Sequence, residues 1–139
     1  MCGIFGIISG NHISSIEIDL LAAHSEQRGK DSSGLLLSNH SAYDLHRANK
    51  SITSLLRNVS TATTGLVMGH SRLITNGLAD NQPVYRDGVC VIHNGIVVNH
   101  NALWAQLDKA RFQEIDTEII AAIAADHLEQ GGAVDGIAS

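Results

Sequence analysis

"MCGIFGII", residues 1–8, poses the question on which the fold turns: a cysteine stands directly behind the initiator methionine, heading an apolar run broken only by glycine. Two readings are open. Cys2 is a small apolar residue that starts a buried strand, or it is a nucleophile that becomes the chain terminus once Met1 is removed. The second reading has a chemical basis. A free cysteine thiol has a pKa of about 8.5 and an α-amino group one of about 7.7–8.0, so near neutral pH an amine on the same residue can serve as the thiol's general base. The small side chain at position 2 permits removal of Met1, and Gly3 lets a ligand approach the backbone closely.

The segments that follow have short-range patterns of both kinds. Apolar runs bounded by Gly and polar residues predict strands at Gly3–Ile8, Ser33–Leu37, Leu66–Gly69 and Val89–His93, and Tyr43–Arg47 alternates like a half-buried strand. Helical spacing predicts a helix from about Ser15 to Ser25, carried by Ile18, Leu21 and Ala22, and a stronger one carried by Ile119, Ile120, Ile123, Ala124, His127 and Leu128. Asp116 or Thr117 is expected to cap that last helix, with Gly131 and Gly132 closing it. A third helix near Asn101–Ala110 would place Leu103 and Leu107 on one face. Helices interleave with strand runs at both ends and strands crowd the middle third, a mixed pattern that suits an antiparallel or mixed sheet covered by helices. There is a single proline, and no repeat or low-complexity tract marks a second domain.

Composition narrows the function classes. A chain of 139 residues, 44% apolar and 17% charged, fits one domain with a modest core. The net charge of −5, with no basic run, argues against a nucleic-acid partner. Cys2 and Cys90 lie far apart, no basic segment precedes the apolar start, and no stretch approaches the roughly 20 apolar residues of a membrane span. The expectation is a cytoplasmic protein with free thiols and no membrane association. Eight histidines raise the question of metal, but none shows H-x-H or H-x₃-H spacing and there is no C-x₂-C, so no metal site is expected. A Gly-rich phosphate loop and a G-x-S-x-G elbow are also lacking.

Two further segments hold candidate chemistry. In "VCVIHNGIVV" (89–98), Asn94 and Gly95 stand between apolar runs, the usual signal of a two-residue hairpin turn. The same turn could aim the Asn94 amide and the Gly95 N–H at one point, as an oxyanion hole requires. His93 reads as structural. Arg72 in "GHSRLITNG" and Asp116 in "IDTEII" are individually ordinary surface charges or caps; together they could hold the carboxylate and the ammonium of an amino acid.

"MCGIFGI", "QRGKDSSG", "GHSRLITNG", "NQPV", "HNGIVVNH" and "DTEII" occur in this order over positions 2–120, and the series resembles the glutaminase domain of class II glutamine amidotransferases, which are N-terminal-nucleophile hydrolases. The resemblance implies an α+β fold, a four-layer αββα sandwich of the N-terminal-nucleophile type, incomplete at the C-terminus, with Cys2 ending a central strand. It implies that residues 1–139 are about the first two thirds of that domain. It also implies an enzyme without cofactors: Cys2 attacks the side-chain amide of glutamine, Asn94 and the Gly95 N–H hold the oxyanion, ammonia leaves, and water hydrolyses the thioester to glutamate. Arg72 matches the residue that binds the glutamine carboxylate and Asp116 the one that binds its amine. Thr75 and Asn76 fall in the pocket-lining segment, and Arg28 lies in a motif bordering the nucleophile. Ammonia would pass to an acceptor on a synthase domain outside this chain, in a full-length enzyme that could be a homodimer. "HNGIVVNH" looks most like the glucosamine-6-phosphate synthase type, which favours sugar-phosphate amination. "QRGKDSSG" and "NQPV" lean toward amidophosphoribosyltransferase or asparagine synthetase types. Where sugar-aminating members read "TRWATHG", this chain has Leu73 and Asn76 in place of an aromatic residue and a histidine. The alternative from another class is a non-catalytic binding module that keeps the fold.

Overall fold

The computed structural model describes residues 2–38, 42–62, 64–74 and 81–133, which form two compact units. The first comprises residues up to Pro83 together with Ile92–Asn94; the second comprises Val84–Val91 and the chain from Gly95 onward.

In the first unit, β1 (Gly3–Ile8), β2 (Ser32–Ser38), β3 (Tyr43–Ala48) and β4 (Leu66–Arg72) make one antiparallel sheet in the order β1-β4-β2-β3. Pairing runs Gly3↔Ser71 to Ile8↔Leu66 on one side of β4 and Ser32↔Arg72 to Ser38↔Leu66 on the other. β2 is interior to the sheet and buried along nearly its whole length, so its sequence reads as a continuous run rather than an alternating one. Two helices cover the sheet, α1 (Ser15–Glu26) and α2 (Ile52–Leu56). α1 begins at a capping box: the Ser14 hydroxyl receives the Ile16 N–H, and the Glu17 carboxylate receives the Ser14 N–H. Its end is tied to α2, where the Thr53 N–H and hydroxyl both donate to Glu26 Oε2, at 3.0 and 2.5 Å. Burial, the largest single influence, raises the Glu26 carboxyl pKa, but the Thr53 and Ser51 hydrogen bonds and the Lys30 charge together displace it downward. Phe5, Ile18, Ala22, Leu35, Leu37, Ile52, Leu55, Leu56 and Val67 meet between sheet and helices. Each large aliphatic side chain removed from water there contributes about 1.5–3 kcal/mol.

In the second unit, β5 (Val84–Arg86) and β6 (Val89–Val91) form a hairpin in register Val84↔Val91 to Arg86↔Val89. The helices are α3 (His100–Trp104) and α4 (Thr117–Glu129). α4 lies on both hairpin strands, and Val84, Ile115 and Ala121 form its core with Val89 and Val91. α4 ends in a Schellman arrangement: the Gly131 N–H bonds to Leu128 O and the Gly132 N–H to His127 O. Among the described residues no helix is long and apolar enough to cross a membrane.

The α+β class and five of the six strands among the described residues match the sequence-based expectation; three local expectations do not. The hairpin turn is Asp87-Gly88, with φ of 47° and 85°, and not Asn94-Gly95, where β6 has already ended at Val91 and no strand follows among the described residues. Both central residues of such a turn need positive φ, which glycine adopts freely and aspartate tolerates. Asp116 occupies the N-cap position of α4 and its carbonyl accepts the Ile119 N–H, but its side chain makes no cap bond, and the Thr117 hydroxyl is buried without a partner among the described residues. α3 stops at Trp104 rather than near Ala110, as the Gln106 and Leu107 N–H groups tighten into turns on Leu103 O and Trp104 O. α2 and β5 are additional, too short to show a period.

Candidate active site

The β1–β4 ladder begins with Gly3 opposite Ser71, so Cys2 enters the sheet at the level of Arg72. Cys2 is half-buried, and its backbone N–H donates to Asn94 Oδ1 at 3.1 Å. A backbone N–H can only donate, which fixes the direction of the Asn94 amide: its oxygen faces Cys2 and its NH₂ is left to point elsewhere. Asn94 is held through its neighbour. The half-buried His93 exchanges two hydrogen bonds with the buried Gln82, N–H to Oε1 at 2.5 Å and O from Nε2 at 3.0 Å. A side-chain amide used in this way substitutes for a β-ladder partner, so the loop at 92–94 keeps strand-like order without being a strand.

Arg72 ends β4 and is buried. Its backbone is clamped from the segment after α1: the Asp31 N–H donates to Arg72 O at 3.0 Å, and the Ile74 N–H donates to Asp31 Oδ2 at 2.7 Å. Gly29 makes this approach feasible, since a Cβ there would lie 2.3 Å from the Arg72 carbonyl carbon. The "RGKD" part of the motif therefore acts by setting the Arg72 backbone. Arg28 itself is exposed, just past the end of α1.

His70, two residues before Arg72, has no exposed surface, and neither ring nitrogen has a hydrogen-bond partner among the described residues. Burial pushes its imidazole down to about 4, and the Arg72 charge and the His93 ring act the same way. The His93 carbonyl favours the charged ring without reaching hydrogen-bond geometry. His70 is thus neutral near pH 7, and Arg72 is the charge at this end of β4.

Thr75 and Asn76 lie outside the described residues. Gly95 and Asp116 belong to the second unit. Gly95 is exposed; Asp116 is half-buried, and its Oδ2 accepts the Val97 N–H at 2.6 Å. A groove of about 530 Å³ bordered by Asp19, Thr53 and Arg57 lies along α1 and α2 and includes none of the candidate residues.

Residues 70–135 match the glutamine amidotransferase domain family. The glutamine–fructose-6-phosphate aminotransferase (isomerizing) of Agrobacterium fabrum is 34% identical over 94% of this chain and 23% of its own length, and that of Helicobacter pylori is 29% identical over 95% and 24%. The chain is thus similar to glutamine amidotransferases, over residues 70–135 by the family match and over nearly its whole length by these relatives. It spans about a quarter of the length of these curated relatives. A solved structure described as the allosteric regulatory enzyme of purine biosynthesis superposes on this chain with a TM-score of 0.71, at 26% identity over 88% of this chain and 29% of that one. The glutamine phosphoribosylpyrophosphate amidotransferase of B. subtilis superposes at 0.68, at 24% identity over the same shares, and speaks for the fold.

Of the residues singled out from the sequence, the structure brings Cys2 and Asn94 into contact and sets Arg72 level with Cys2. Sequence reasoning missed Asp31 and Gln82 as individual residues. Both lie inside motifs that it quoted, "QRGKDSSG" and "NQPV", and both act on backbone groups, which no residue spacing reveals.

Proposed function

We propose that this domain hydrolyses glutamine to glutamate and ammonia, with Cys2 as the nucleophile after Met1 is removed. The observation that carries the reading is the hydrogen bond from the Cys2 nitrogen to Asn94 Oδ1. Once that nitrogen is a terminal amine, a bond from one of its N–H groups to Oδ1 leaves its lone pair for the Cys2 thiol proton. The same bond turns the Asn94 NH₂ toward a developing oxyanion, with the Gly95 N–H as second donor. Cys2 adds to the glutamine amide carbon, the amine returns the proton to the leaving nitrogen, and ammonia departs. Water then opens the thioester to glutamate. Arg72 takes the α-carboxylate and Asp116 the α-ammonium, with Thr75 and Asn76 lining the pocket and Arg28 supporting the motif beside it. Ammonia passes to a sugar-phosphate acceptor on a synthase domain outside these residues, in keeping with the fructose-6-phosphate aminotransferases to which the chain is similar.

The test is glutamate release from glutamine by three forms of the protein: processed at Cys2, blocked from losing Met1, and Cys2→Ala. Activity only in the first is expected. Equal activity in the first two excludes the amine as base, and absence of activity in all three favours a binding module.

A further inference from the structure

In "DTEII" the acidic residue after Thr117 has no role in the reading above, yet its carboxylate is buried and accepts several hydrogen bonds. Glu118 is 1% exposed. It accepts Arg86 Nη1 at 2.7 Å, the Phe112 N–H at 3.1 Å and the Gln113 N–H at 2.8 Å. Arg86 is also buried, its guanidinium carbon 5.3 Å from the Trp104 ring centre and 4.7 Å from that of Phe112. We propose that the Glu118–Arg86 pair is a positioning device for Asp116, holding its carboxylate where a substrate ammonium is bound; this rests on the role proposed for Asp116.

The direction of these bonds is the argument. A glutamate in the first turn of a helix ordinarily serves its own helix, by reaching back to the cap or favouring the first-turn amides. Glu118 reaches five and six residues back, to the chain that delivers Asp116. The incoming segment is thereby fixed at Phe112 and Gln113, and the buried side chains of Ile115 and Thr117 fix Asp116 on either side. Arg86 anchors the same carboxylate to β5, beside the hairpin turn. Asp116 spends Oδ2 on the Val97 N–H, so its remaining oxygen can be aimed only by the backbone that carries it. Removing the charge of Glu118 frees Phe112–Ile115 and leaves the buried Arg86 cation to Asp87 Oδ2, 3.2 Å from its Nε, without the carboxylate that ties it to this segment, which moves that backbone.

The experiment measures calorimetric Kd values in a Cys2→Ala background of the full chain, so that ligand is not consumed. The ligands are L-glutamine and 5-amino-5-oxopentanoate, the same molecule without its α-amine. Glu118→Gln should weaken glutamine by about tenfold or more, because misplacement on the order of 1 Å suffices for such losses, and should leave the deaminated ligand nearly unchanged. Arg86→Lys, which retains the charge but not the flat stacked group, should act in the same sense and more weakly. Equal weakening of both ligands, or of neither, in these variants overturns the proposal. Asp116→Asn distinguishes the underlying reading: if it too discriminates no better or worse between the ligands than the parent, Asp116 is not the ammonium site and the proposal falls with it.

Discussion

The role proposed for Asn94 adds an oxyanion donor to its observed bond with the Cys2 nitrogen, at opposite ends of one amide, and substitution can separate the two. Asn94→Asp keeps an acceptor for the Cys2 nitrogen and removes the donor; Asn94→Ala removes both. Loss of one oxyanion donor costs about 100- to 1,000-fold in kcat. Both variants should show a drop of that order in steady-state glutaminase assays, and wild-type kcat in Asn94→Asp would assign the amide to terminus positioning alone. His70 makes a prediction of another kind. The unfolded chain takes up a proton on this residue near pH 6.5, the folded protein only at about 4, so between those values the unfolded state binds more protons and stability falls as pH falls. The loss reaches about 3 kcal/mol at the lower end. Denaturant midpoints measured across that range should decline accordingly, and an NMR titration placing folded His70 near 6.5 would contradict the account.

Among the elements, the segment from the end of α1 to the start of β2 sets the backbone of Arg72, and Gly29 is its tightest point. Gly29→Ala must push Arg72 and Leu73 aside. Because displacement of a binding group by on the order of 1 Å can cost about 100-fold, KM for glutamine should rise far more than kcat falls. Unchanged KM in a folded Gly29→Ala protein would remove Arg72 from the carboxylate site. The same segment shows what was legible in the sequence. Strand runs and the two long helices could be read because their buried positions repeat over enough residues to display a period. α2 and β5, at five and three residues, could not. The Asn-Gly and Asp-Gly pairs are equivalent as turn signals, and tertiary context decided between them: the Asn94 amide is committed to Cys2 and the neighbouring backbone to Gln82, while Asp87-Gly88 adopts the positive φ pair. Cys2, Asn94 and Arg72 were legible through motif chemistry. Asp31, Gln82 and Glu118 were not, since each works through backbone groups distant in sequence.

Taken over the whole molecule, the two units differ in how they bury apolar surface. The first buries a large cluster between a four-stranded sheet and two helices, with β2 and β4 paired on both edges. The second rests on a two-stranded hairpin against one long helix, with a much smaller apolar cluster. Local opening costs most where buried apolar contacts and interior ladders are densest. Native-state hydrogen exchange should therefore be slowest at β2 and β4 amides and faster by orders of magnitude at β5 and β6; uniform protection across both would show a single cooperative unit. The Cys2–Asn94 bond joins residues 92 apart in sequence. A ribosome must have delivered the loop at 92–94, and β1 must have found β4, before the thiol acquires its surroundings. On the proposed reaction, a newly made or unfolded copy is thus chemically silent toward glutamine, and ammonia production is withheld until the fold has been completed.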